Sequence, residues 1–200
     1  MRARTAALAA VTALGVLALS AAPPPAAGEM TLALRSPAAP DGPALRLVAE
    51  GRTFSPPLDL AAEGAPADVA ATLGFLRRVV RANASGDKAE MVALFPAAER
   101  EATAALADEA GVLEKNAAAF RAFLASRLLA EFRYGPVVYL AVEHDLEGGR
   151  RFVQLYPTVV EGEATRLTNA LVGDPNAEML RQAFARADFA PLETSGSLKP

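Results

Sequence analysis

Three clusters in this chain hold groups able to do chemistry. The first is Glu143-His144-Asp145, which contains the single histidine. An imidazole between two carboxylates could act as a general base if it were buried beside Glu143. Consecutive strand residues point to opposite faces, so the three cannot close on one ion from a regular strand. One histidine and no cysteine leave too few ligands for a typical zinc site, and no metal or cofactor is expected. A serine triad on a nucleophile elbow needs G-x-S-x-G, which the chain lacks. A solvated histidine at a strand end is the ordinary reading of this tripeptide. Glu131 and Glu143, on adjacent predicted strands, could share acid–base work, although charged strand residues more often only solubilise an edge.

The second cluster is "ANASGDKAEM", Ala82 to Met91. Asn83-Ala84-Ser85 matches a glycosylation acceptor, and Gly86-Asp87-Lys88 could touch a phosphate. A phosphate loop needs G-x-x-x-x-G-K-[ST] after a strand. Here one glycine follows a helical pattern. Gly86 suits the left-handed position that ends a helix, Asp87 suits the cap of the next, and Glu90 stands where it can reach back to the cap. The stretch reads as a joint.

The third cluster is Tyr139, Glu143, Gln154, Tyr156 and Asn169. A turn near Gly148 would put Tyr139 opposite Tyr156 and Ala141 opposite Gln154. A turn at Gly162 would bring Asn169 near Tyr156. Val137, Tyr139, Glu143, Phe152, Gln154, Tyr156 and Asn169 then form one face. The other face, Val138, Leu140, Val142, Val153, Leu155 and Val159, is aliphatic and should pack on helices. The mixed face has the composition of a surface for a small apolar or amphipathic ligand, or for a protein partner. An exposed sheet face, or one covered by the N-terminal hairpin, has the same composition.

The elements that would position these residues follow from periodicity. Residues 1–28 read as a secretory signal: Arg2 and Arg4, a short apolar run, then Ala18-Leu19-Ser20 and Ala26-Ala27-Gly28 as cleavage patterns. No later run reaches the roughly 20 apolar residues of a membrane span. Removing two arginines takes the formal charge from −3 to −5 (−3 − 2), which disfavours nucleic acid as a partner. Exported, periplasmic or secreted, is the expected location. In residues 29–66, Met30 to Arg35 and Ala44 to Glu50 alternate as a loosely attached hairpin around Asp41-Gly42, and Arg52 to Ala65 reads as a linker. Residues 67–187 form the main domain. A helix spans 67–84, a short one runs from Lys88 to Phe95, a third from Pro96 towards Asp108, and a fourth starts at Val112. Four antiparallel strands follow, then a helix capped by Asp174-Pro175. Residues 188–200 read as a loose tail.

The order helix, "ASGD" joint, short helix, further helix and antiparallel sheet resembles the nuclear transport factor 2-like superfamily. The resemblance rests on "FLRRVVRANASGDKAEMVALF" (75–95) and "FVQLYPTVVEGEATRLTNALVGDP" (152–175). It covers about residues 67–187 and implies a divergent, exported, cone-like α+β domain. Members include ketosteroid isomerases, polyketide cyclases, dehydratases and non-catalytic binding modules. No catalytic constellation carries over residue by residue. The leading expectation is therefore a soluble module that binds a small ligand or a protein. One alternative is a cone-fold isomerase, cyclase or dehydratase using carboxylate and tyrosine. Another is an envelope accessory protein that dimerises through its sheet face.

Overall fold

The structure, a computed structural model, describes residues 28–34 and 45–185. The signal segment up to residue 27, the Asp41-Gly42 turn and the 188–200 tail lie outside these residues. The fold is α+β. Six strands, β1 (Gly28–Leu34), β2 (Leu45–Asp59), β3 (Ala125–Tyr134), β4 (Val137–Asp145), β5 (Arg151–Glu161) and β6 (Ala164–Leu167), form one sheet in chain order. Every neighbouring pair is antiparallel. Between β2 and β3 lie α1 (Ala67–Ser85), α2 (Lys88–Val92), α3 (Arg100–Ala107) and α4 (Val112–Arg121); α5 (Pro175–Ala185) follows β6.

The sheet has two strands more than the expected four. The segment from Arg52 is no linker: it is the second half of β2, with Arg52 paired to Glu131 and Asp59 to Arg127. Ser55-Pro56-Pro57 disguised it, since proline cannot donate to a ladder. The prolines sit where the register shifts between Thr53 and Leu58, so no ladder donor is needed there. The N-terminal strands are thus part of the main sheet rather than a loosely attached hairpin.

Helix α1 forms because Val69, Leu73, Leu76 and Val79 recur on one face, and all are buried. It packs with Leu94, Phe120, Leu128, Leu140, Val142, Tyr156 and Leu167 in one core cluster. Its end is the expected joint. Gly86 has φ 71°, and the Asp87 carboxylate accepts from the N–H groups of Ala89 and Glu90. The Ser85 hydroxyl, rather than Glu90, accepts the Asp87 N–H at 3.1 Å. Asn83 is buried; its amide donates to Val79 O and accepts from Asn116. The side chain that a glycan would need is therefore spent inside the helix layer.

A second cluster, Ala49, Ala130, Phe132, Val137, Tyr139, Ala141, Val153 and Leu155, lies on the opposite face of the sheet, where α5 contributes Leu180. Asp174 caps α5 as expected, accepting from Ala177 N at 2.8 Å. Both sheet faces are thus covered, which explains the nearly continuous apolar run Val137 to Val142.

Candidate functional site

The β4–β5 turn decides which side chains meet. Glu147–Gly149 forms a three-residue turn, with Gly148 and Gly149 both at φ 72°, closed by Leu146 N–H to Arg150 O. An odd turn pairs Leu140 with Tyr156, Val142 with Gln154 and Tyr139 with Pro157. The expected pairing of Tyr139 with Tyr156 required an even turn. One residue of difference moves a whole strand's side chains to the other face. Tyr139 and Tyr156 accordingly lie on opposite faces, and both are buried.

The five expected surface residues therefore separate. Tyr139 stacks on Phe132, with centroids 5.5 Å apart, on the α5 side; burial raises its phenol pKa. Glu143 is on that side too, held by Arg127 at 3.2 Å and Arg151 at 3.8 Å. Arg127 also grips Asp145 through both terminal nitrogens, at 3.0 and 2.6 Å. That hydrogen-bonded contact holds the Asp145 carboxyl below its usual range. Asn169 lies beyond the end of β6, exposed, its N–H donating to the Glu99 carboxylate at 2.7 Å. Of the five, only Gln154 and Tyr156 are brought together.

What joins them is His144. Alternation along β4 puts His144 on the helix side with Leu140 and Val142, and the ladder pairs it with Ser126 and Phe152. It is fully buried, not solvated. Its Nδ1 is 2.8 Å from the Ser126 hydroxyl and its Nε2 3.0 Å from the Tyr156 hydroxyl. Tyr156 donates to Gln154 Oε1 at 3.1 Å. A phenol has one proton, so its oxygen accepts from Nε2–H, and Nδ1 accepts the Ser126 proton. The chain runs Ser126 to His144 to Tyr156 to Gln154, every link made.

Aromatic rings enclose this chain. Phe123, just after α4, stacks on the imidazole with centroids 3.9 Å apart and planes 15° apart; Phe120 lies behind it at 5.1 Å. Phe152 stands 5.5 Å from the imidazole. Burial pushes the His144 pKa down to about 4 and raises that of Tyr156, so both are neutral at pH 7. His144 and Tyr156 are buried, and Phe123, Ser126, Phe152 and Gln154 around them are half-buried.

Ser126 and Phe123 were not expected here, Phe152 was expected on the face of Gln154 and Tyr156 and is found there, and His144, expected in solvent, is buried. The available signal was alternation alone: Phe152, Gln154 and Tyr156 share a face whatever the register.

The other expected carboxylate, Glu131, is buried on the helix side. Arg52 Nε binds it at 2.8 Å, and the same guanidinium also binds Asp68. Burial pushes its pKa above the ordinary value against the pull of Arg52. Among the described residues no group of three His, Cys, Asp or Glu could hold a metal ion, and no helix is long and apolar enough to cross a membrane.

No family model, curated protein or solved structure matches this chain.

Proposed function

We propose that the protein is a non-catalytic, exported binding module, and that its site is the aromatic end of the helix-side sheet face. The carrying observation is the buried, hydrogen-bonded His144–Tyr156 pair among half-buried Phe123, Ser126, Phe152 and Gln154. Few polar groups set among aromatic rings is the composition of small-ligand sites. The ligand class is a flat, amphipathic molecule. Its apolar body would lie against Phe123 and Phe152, and one acceptor would meet the Gln154 amide nitrogen. The order of elements from α1 to β6 supports the nuclear transport factor 2-like reading, whose members include such modules.

A fluorescent anilinonaphthalene sulfonate is a suitable probe. It should brighten with the native protein, and Phe152→Ser or Gln154→Leu should weaken that response in variants that keep a cooperative melt, even though Gln154→Leu also removes the acceptor of the Tyr156 hydroxyl. A native protein that leaves the probe dark sinks the reading, as does an undiminished response in both variants.

The acid–base alternative draws on one row across the helix-side face. Glu131 pairs with Leu140, and Leu140 with Tyr156. A buried carboxyl of raised pKa and a neutral phenol thus stand two strands apart, roughly 10 Å. The Arg52 clamp on Glu131 weighs against a free base there.

A further inference from the structure

The two edges of the sheet are built differently. At one, β6 is only four residues long, and Leu167 N–H bonds to Leu94 O. The Arg166 guanidinium reaches Ala93 O, and Glu99 takes the Thr168 hydroxyl and the Asn169 N–H just beyond. Short length and a covering segment are standard protections of an edge. At the other, β1 runs for seven residues, and among the described residues no strand pairs with its outer side. Its sequence, "GEMTLAL", contains no proline, lysine or arginine, and one charge, Glu29. Its own sequence thus lacks the proline and basic residues that usually deter strand addition.

We propose that this edge pairs with β1 of a second copy, antiparallel and about a two-fold axis at Thr31, joining two six-stranded sheets into one. The register follows from the sequence. A two-fold at Thr31 sets Glu29 opposite Ala33, Met30 opposite Leu32 and Gly28 opposite Leu34, using all seven residues with no like charges facing. Helices pack on both faces of the central strands, so strand addition at this edge is the symmetric contact that the sheet itself offers. The partner is an identical strand because an antiparallel two-fold pairing satisfies both edges at once.

The chain has no cysteine, so single cysteines report cleanly. The protein as recovered from its own host should sediment at twice the monomer mass and dissociate on dilution. Thr31→Cys should cross-link into a disulfide dimer on mild oxidation. Ala33→Cys should not, because its two copies would stand roughly 14 Å apart. Proline at Thr31 and at Leu32 gives the second arm, since backbone N–H groups alternate sides and one of the two points outward. That variant should keep a cooperative melt and become a monomer. A monomeric wild type at every concentration overturns the proposal. If its β1 amides are also protected from exchange, another segment of the same chain is the occupant. A dimer that cross-links through Ala33→Cys and not Thr31→Cys overturns it equally.

Discussion

Glu143 and His144 are neighbours on β4, yet they belong to opposite electrostatic regimes. On the α5 side, Glu143 sits with Arg127, Asp145 and Arg151, all charged and all at least partly open to solvent. On the helix side, His144 belongs to a chain of neutral groups closed over by Phe123. The charged group tolerates imperfect pairing, because water screens it and can replace any partner. The neutral chain does not, because a buried polar group that loses its partner keeps its full desolvation penalty. The same end of the sheet should therefore be insensitive to mutation on one face and sensitive on the other.

The largest test of this contrast is His144→Ala. It removes a stacked ring, takes the partner of the Ser126 hydroxyl and leaves Tyr156 only its bond to Gln154, so urea melts should report a loss of about 3–4 kcal/mol. A loss below about 1 kcal/mol would mean that the space left by the ring collapses or fills with water, and the contrast fails.

Acid provides the next test. The His144 pKa falls from 6.5 to about 4 on folding, so between those values the unfolded chain binds more protons. The stabilisation is complete above pH 6.5 and is lost as pH falls towards 4, by about 3 kcal/mol in all. Glu131, whose pKa is raised, acts with the opposite sign and blunts the slope. Paired melts at pH 7 and pH 5 should show the loss in wild type and a flatter dependence in His144→Phe. An unchanged slope in that variant would assign the acid sensitivity elsewhere.

Tyr156→Phe keeps the ring and deletes the middle link. His144 Nε2–H is then left without an acceptor, and the expected cost is about 1–2 kcal/mol. The imidazole nitrogen shifts sharpen the point: wild type should carry its proton on Nε2, and the variant should drift towards the other tautomer.

Glu143→Gln is the smallest. Its carboxylate is one of two that serve Arg127, and Arg127 keeps Asp145. The loss should stay under about 0.5 kcal/mol and shrink further in high salt. A cost matching that of Tyr156→Phe would erase the distinction between the faces.

Local chemistry was legible in the chain itself. Gly86 and Asp87 announced the joint, Asp174 the cap of α5, and the 3.6-residue spacing from Val69 to Val79 the buried face of α1; each depends on neighbours within a few residues. The three-residue length of the Glu147–Gly149 turn, the strand hidden behind Pro56 and Pro57, and the covering of the second sheet face by α5 depend on partners distant in sequence. Those three facts set which side of the sheet each residue occupies. The sequence by itself determined that Glu143, His144 and Asp145 could not close on one ion, because alternation sets His144 on the opposite face from the two carboxylates. Only the tertiary structure decided that His144 is buried and neutral, since that required Phe123 from the helix layer and Ser126 and Tyr156 from two other strands to close around it.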